Sequence, residues 1–323
     1  MYASRCAAAL VLIVLICFFG PRAHADDYPT RPIRIVVGFS PGSTSDITAR
    51  VLGQKLQQSL NEPIVIENRP GGGNNIAAEF VGRAPKDGYT LYLSNVANTI
   101  RAATAPDPAF DFVKDLAPIS LVADSPIMLA ANPSLGANNV QQLIAIAKVM
   151  PGQIFYGSSG VGSAAHFAGQ LFNGLTGVSL VHVPYPGSSQ ALSDVLAGRI
   201  QLLFGAVSSV LPQVEDGKLI AIGVAERERV VFAPQVPTLA EQGLSGFEAT
   251  VWSGLMAPSG TPRGIIDKLA SATAVALKNP DAVSALSAQG ITVREGGPDE
   301  FRNYIASEID KWAKVGAAAG VVN

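Results

Sequence analysis

The chain predicts an α/β protein built from two lobes. Short β-branched runs alternate with helical patterns from Ile33 onward, the arrangement that makes sheets flanked by helices, and parallel sheets are expected from it. Three strand-to-helix loops, Ser40 to Ser45, Gly157 to Ser163 and Gly187 to Ser189, are rich in glycine and hydroxyls. With 323 residues, 48% hydrophobic and 15% charged, the chain is also too long for one small core. No linker is long enough to separate a pair of independent units. The lobes are therefore expected to join through short crossings near Ser125 and Gly246. One lobe is then discontinuous, residues 26–125 plus 247–323, and the other spans 126–246.

Residues 1–25 read as a secretory signal peptide. Arg5 supplies a positive start, and Ala7 to Phe19 is an unbroken run of 13 apolar residues. Gly20 and Pro21 break it, and Ala23-His24-Ala25 is an A-x-A cleavage site. The apolar run falls short of the ~20 residues a spanning helix needs. A lipoprotein signal ending at Cys17 is disfavoured by Ile16, which stands where a small residue is wanted. Cleavage after Ala25 removes both cysteines, Cys6 and Cys17, so the exported chain has no disulfide and no thiolate. It also removes Arg5 and Arg22, leaving 21 basic residues against 25 acidic ones. That balance offers nothing to nucleic acid or an anionic membrane surface.

The elements follow in order. Ile33 to Val37 is a strand, and Ile47 to Leu60 a helix with Ile47, Val51, Leu52 and Leu56 on one face. Any of Ser43 to Asp46 suits its N-cap. Strand Pro63 to Glu67 leads through the turn Pro70 to Asn74 into helix Asn75 to Ala84. Strands Tyr89 to Leu93 and Ile127 to Ala131 and helix Asn139 to Met150 come next. The second half repeats the pattern: strand Ile154 to Tyr156, helix Ala164 to Leu175, strand Leu180 to Val183, helix Gln190 to Ala197, and strands Ile200 to Phe204 and Leu219 to Val224. Glu248 to Met256 reads as extended, and the chain after Pro262 as mainly helical.

The chemistry sits in the loops. A helix N-terminus presents unpaired N–H groups and the positive end of the helix dipole, which together attract an anion. Glycine admits close approach, and hydroxyls add donors. None of the three loops contains Lys or Arg, which suits a carboxylate that must be released again. The candidate contacts are Ser40, Pro41, Gly42, Ser43, Thr44 and Asp46 in the first loop. In the second they are Ser158, Gly160, Gly162, Ser163 and His166, and in the third Gly187 and Ser188. Asp46 fits an N-cap or an acceptor for a ligand hydroxyl or amine. Asn74 and Asn95, at turn and strand ends, fit caps or amide donors. His182 reads as structural and Trp252 as a core aromatic. The two histidines remaining after cleavage make no metal site, and neither a metal nor a cofactor is expected. The chain lacks G-x-S-x-G, G-x-x-x-x-G-K-[ST] and G-x-G-x-x-G. Ser163 beside His166 has no third group to complete a triad.

These residues resemble a known family over nearly the whole exported chain. Tyr28 to Val37 is similar to YPxRPIRxIV, Phe39-Ser-Pro-Gly42 to FxPGG, Glu67 to Gly73 to ENRPGAGG, and Ala84 to Thr90 to APxDGYT. Tyr156 to Gly162 with His166 resembles YGSSGxGxxxH. Val181 to Ser188 resembles VHVPYKGS, with Pro186 in place of lysine. Val236 to Gly243 resembles VPTxAExG, and Ala257 to Pro262 resembles APAGTP. The chain is thereby identified as a member of the tripartite tricarboxylate transporter receptors, the TctC-like or Bug proteins of bacterial periplasms.

The resemblance implies a type II periplasmic-binding-protein fold with a ligand cleft between the lobes, and a small carboxylate held by the three loops. It implies a monomeric receptor, not an enzyme, that passes its solute to inner-membrane permease subunits. One departure is Gly205, where the family commonly has an acidic residue; its absence implies more room and one acceptor fewer in the cleft. Two other readings are open, a receptor that signals to a sensor partner and an exported hydrolase on the same fold.

Overall fold

The computed structural model describes residues 28–318 and 320, apart from Pro186. The signal peptide, its cleavage site after Ala25 and the Pro186 replacement lie outside the described residues.

The chain first forms β1 (Ile33–Val37), α1 (Thr44–Leu60), β2 (Ile64–Asn68), α2 (Asn75–Gly82), β3 (Thr90–Asn95), α3 (Val96–Thr104), α4 (Phe112–Asp115) and β4 (Leu116–Ser125). There follow β5 (Ile127–Ala131), α5 (Val140–Val149), β6 (Phe155–Ser158), α6 (Ala164–Thr176), β7 (Val181–Pro184), α7 (Ser188–Leu196), β8 (Leu202–Ala206), α8 (Val207–Glu215) and β9 (Ile220–Val224). It ends with β10 (Val251–Pro258), α9 (Arg263–Leu277), α10 (Pro280–Ser287), β11 (Thr292–Gly296) and α11 (Pro298–Ala318).

Two sheets result. The first has strand order β11-β4-β10-β3-β1-β2 and draws on both ends of the chain; the second has order β7-β6-β8-β5-β9. The expectation of parallel sheets needs correction, because both sheets are mixed. β1 runs parallel to β2 and β3, and β6 to β7 and β8, but β10 is antiparallel to β3 and β4, and β5 to β8 and β9. β5 and β10 lie at the crossings that carry the chain between sheets, whereas β11, antiparallel to β4, is an edge strand of the first sheet. β4 ends at Ser125 and β5 starts at Ile127, with only Pro126 between them, and β10 returns after β9 to pair Val251 with Ser125.

Five elements escaped the sequence pattern, α4 because it is a single turn of four residues and the other four for local reasons of their own. β4 is buried on both faces and contains Pro118, so it shows no alternation. β11 is a half-exposed strand bearing Arg294 and Glu295. α8 carries Pro212 inside it. α3 is rich in weak helix formers, Val96, Asn98 and Thr99, and is held by a capping box at Asn95.

Burial explains how the lobes are held. Ile33, Ile35 and Val37 face Leu52 and Leu56 of α1 and Leu269 of α9 in one core. The opposite face belongs to a cluster that continues through Trp252 and Trp312 to Tyr156, Phe167 and Phe172 of the second sheet's layer. α11 makes that bridge: Trp312 meets Phe167 edge to face at 5.7 Å. Fully burying an aromatic of this kind stabilises the fold by up to about 3 kcal/mol. Trp252, read as a core aromatic, is fully buried and donates its indole N–H to Glu308 Oε2 at 2.9 Å. Trp312 donates to the same oxygen at 3.0 Å.

Candidate functional site

Parallel strands end on one edge of each sheet, and in open α/β sheets ligands gather beyond that edge. β1 runs out at Val37 into the first loop, and β3 ends at Asn95. β6 and β7 run into the second and third loops. α3, which starts at this edge, touches α6, which starts at the second loop.

In the first loop Ser43 caps α1, its Oγ accepting from the Asp46 N–H at 3.3 Å, and Gly42 turns with φ +80°. Asp46 is buried, and both of its oxygens are used within the protein. Asn68 Nδ2 donates to Oδ1, and the Gly42 N–H and Arg50 Nε donate to Oδ2, each at 2.9 Å. Burial opposes its charge, but the bonds from Arg50, Gly42 and Asn68 outweigh burial and hold the carboxyl below its ordinary value. Asp46 thus ties the loop down. Ser40, Pro41 and Gly42 are exposed or nearly so, and Thr44 opens the helix.

Asn74 and Asn95 come together in a buried network. Asn74 Nδ2 donates to Asn95 Oδ1 at 3.3 Å and to Asn98 Oδ1 at 3.0 Å. Tyr92 Oη donates to Asn98 Oδ1 at 2.9 Å, and Asn95 Nδ2 reaches Ser45 Oγ at 3.5 Å. Asn74 Oδ1 has no partner. It lies against Gly38, where a Cβ would fall 1.6 Å from it. The sequence gives no site role to Asn98, Tyr92 or Gly38, and marks Ser45 only as a loop hydroxyl and N-cap choice. The three-residue spacing of Asn95 and Asn98 is the one available signal, that of a capping box.

In the second loop Ser163 caps α6 through the His166 N–H at 3.2 Å, and its own hydroxyl donates to Gly160 O at 2.7 Å. Gly160 and Gly162 adopt φ of +118° and +82°. The buried Ser158 Oγ accepts from the Gly160 N–H at 3.1 Å and lies 2.6 Å from His182 Nε2. His166 stacks on His182 at 4.1 Å between ring centroids. The Gly162 N–H donates to His166 Nδ1 at 3.3 Å. Burial lowers His166, and burial together with the His166 ring pushes His182 down to about 4. Both rings are neutral at pH 7, so positive potential here comes from helix N-termini rather than side-chain cations. His182, which reads as structural, is bonded directly to Ser158, a candidate contact. In the third loop Gly187 is the N-cap of α7 and provides no side-chain acceptor, leaving the first N–H groups of that helix free of a side-chain partner.

Gly205 requires a correction. It pairs with the buried Met128 in the middle of the second sheet, and a Cβ there would lie 2.7 Å from Val210 Cγ2 and 3.0 Å from Leu203 Cδ2. The position faces the apolar layer under α8, so an absent acid at 205 opens no space among the loops.

Among the described residues no cluster of three or more His, Cys, Asp or Glu is placed to hold a metal ion, and no helix is long and apolar enough to cross a membrane.

Comparison with known proteins bears directly on this arrangement. The model for the tripartite tricarboxylate transporter family receptor matches residues 48–321. Protein BugT of Bordetella pertussis is 36% identical over 317 residues, covering 98% of this chain and 97% of BugT. An R. palustris protein solved with adipate superposes with a TM-score of 0.80 at 32% identity, over 91% of this chain and 99% of that one. MatC from Rhodopseudomonas palustris with bound malate gives 0.76 at 30% identity, over 89% and 99%. The two sheets are the two lobes of a periplasmic-binding-protein fold. The chain belongs to the tripartite tricarboxylate transporter receptor family, the TctC-like or Bug-type periplasmic solute-binding receptors.

Proposed function

We propose that this receptor captures a small carboxylate between its lobes and delivers it to the permease subunits of a tripartite tricarboxylate transporter. The observation that carries the carboxylate is the set of three helix N-termini, at Ser43, Ser163 and Gly187, surrounded by hydroxyls and amides and free of Lys and Arg. Such a site holds an anion through backbone and hydroxyl donors and lets it go without breaking an ion pair. The relatives solved with adipate and malate support the same class.

The proposed contacts are Ser40, Pro41, Gly42, Ser43 and Thr44 from one lobe, and Ser158, Gly160, Gly162, Ser163, His166, Gly187 and Ser188 from the other. Asn74 and Asn95 line the floor of the first lobe. Asp46 acts by holding its loop, because its oxygens are already bonded. The lobes are residues 26–125 with 247–323, and 126–246. Binding closes one on the other, the bound state gaining contacts from both. The working form is a monomer, exported by a signal peptide cleaved after Ala25.

The test is a thermal-shift panel of the chain from Asp26 onward against mono-, di- and tricarboxylates, aromatic acids and amino acids. A ligand at 100 times its Kd adds about 2.7 kcal/mol to the folded state, a rise on the order of 5 °C for a chain of this size. A shift confined to one acid class supports the proposal and names the class. No shift with any acid, from protein shown by mass spectrometry to carry no ligand, overturns it.

A further inference from the structure

The crossings between the lobes carry a cluster of ionisable side chains that the three loops do not use. The Ala225 N–H donates to Ile127 O at 2.7 Å, and the Ala249 N–H to Ala225 O at 2.9 Å, so the residue after Ala225, Glu226, stands against both crossings. Asp124 of β4, Glu248 before β10 and Arg294 of β11 act on its charge, and Thr250 bonds to it. Arg227 follows it, and Tyr304, Glu308 and Lys311 of α11 complete the cluster; Arg294 lies 4.2 Å over the Tyr304 ring, and Lys311 Nζ donates to Glu248 O at 3.3 Å.

One acid in this cluster is left over. Asp124 pairs with Arg294 at 3.0 Å, Glu248 with Arg227 at 2.7 Å, and Glu308 with Lys311. Glu226 forms no ion pair among the described residues, and its Oε1 is closed to solvent and has no hydrogen-bond partner. A fourth negative charge here would have no counter-charge, and a buried unpaired carboxylate neutralises itself by holding its proton. With that proton, three acids stand against three bases. Burial, then the charges of Asp124 and Glu248, push Glu226 up to about 8 accordingly.

Strand order sets the lever. In the first sheet β1, with its loop, and the edge strand β11 lie on opposite sides of β4 and β10; in the second, β6 and β7 lie across β5 from the edge strand β9. The chain crosses between lobes at β4, β5 and β10, in the middle. Glu226 follows β9 and Arg294 lies in β11, so the cluster sits behind the crossings as seen from the loops. The loop residues Ser40, Pro41, Gly42, Val161 and Ser188 are exposed, so the loops stand apart in this form. A rotation about the crossings that brings the loops together moves β9 away from β11. It carries Glu226 away from Asp124 and towards water, where a carboxyl ionises near its ordinary value.

We propose that capture of the solute is coupled to a proton: closing the loops on an acid opens the back of the hinge, and Glu226 there releases its proton to solvent. This rests on the lobe closure proposed above and on none of the residues proposed to touch the solute.

Spin labels on Val65→Cys in β2 and Ser193→Cys in α7 read closure with no solute present. Both positions are exposed and on the loop side of the crossings, and the chain from Asp26 onward has no other cysteine. Double electron–electron resonance at about pH 6.5 and about pH 8.5 should show the population moving to the shorter separation at the higher pH. Glu226→Gln, which keeps the shape of the protonated acid, should give one distribution at both; circular dichroism checks that it folds. For the acid with the largest thermal shift, wild-type affinity should be about 10-fold higher at pH 8 than at pH 6.5. Glu226→Gln should hold the weaker affinity at both. Calorimetry of the wild type near pH 7, in two buffers of different ionisation enthalpy, should count the release of about one proton. A wild-type separation that ignores pH would overturn the proposal, as would an acid that binds with no proton released. If no acid binds, the carboxylate reading fails, and the spin labels still decide the hinge.

Discussion

His182 Nε2 lies 2.6 Å from Ser158 Oγ, which places a neutral imidazole directly behind a hydroxyl of the proposed carboxylate site. The ring is held on its other face by His166. Ser158 is almost fully buried, and its hydroxyl also meets the Gly160 backbone, donating to the carbonyl and accepting from the N–H, each at 3.1 Å.

His182→Ala is therefore expected to weaken both folding and binding. Losing one of the hydrogen bonds of the Ser158 hydroxyl costs about 0.5–1.5 kcal/mol, measurable by urea unfolding. Affinity for the acid identified in the thermal-shift panel should fall about 10-fold by calorimetry. A variant with unchanged affinity would show that Ser158 needs no support from His182.

Stability should fall as pH rises, because of carboxyls at the crossings between lobes. Asp124 ends β4 and Glu226 follows β9. Glu248 precedes β10, and Arg294, Arg227 and Lys311 stand among them. Burial, then the charge of Asp124 and that of Glu248, raise Glu226 to about 8 against the Thr250 bond that lowers it. Burial likewise raises Asp124 to about 6, with Arg294 opposing. In the unfolded chain Glu226 gives up its proton near its ordinary 4.5, whereas the folded chain keeps it to about 8. The folded state thus binds more protons across that window, and its stability declines as pH rises through it. Glu226→Gln should flatten the fall of melting temperature between about pH 5 and 8.5. An unchanged slope would contradict this assignment.

Gly38→Ala should disturb the asparagine network without touching a ligand. The new Cβ would fall 1.6 Å from Asn74 Oδ1, so Asn74 must move and its bonds to Asn95 and Asn98 with it. Overpacking of this kind costs about 1–3 kcal/mol. Urea unfolding should show that loss; wild-type stability would mean that Asn74 has another place to go.

Gly205→Asp should act on the fold rather than on ligand choice. The carboxylate would enter the apolar layer of Leu203 and Val210 with no partner, at about 3 kcal/mol or more. A well-folded variant with a changed preference among acids would restore position 205 to the cleft.

What the sequence makes legible follows from the range of each interaction. β1, α1 and the three loops are written in local runs and caps, such as Ile33 to Val37 before Ser43, and the strand-helix alternation marks them. The asparagine network is not local. Asn74 meets Asn98 only because β3 and α3 bring the chain back 24 residues later, and nothing around Asn98 beyond its spacing from Asn95 announces it. The contact of His182 with Ser158 is not legible either, because a strand histidine gives no sign of the hydroxyl it will meet. Position 205 was misplaced because neither face of β8 is exposed; Leu202 to Gly205 are all buried, so burial pattern does not say which side meets the loops.

The most direct measurement is a crystal structure of the protein with the acid that gives the largest thermal shift. The account predicts carboxylate oxygens within hydrogen-bond distance of donors at the N-terminus of α1 and of α6 or α7 at once, with the acid enclosed between the two sheets. An acid bound to one lobe alone, or held by a side-chain cation away from these helix ends, would contradict it.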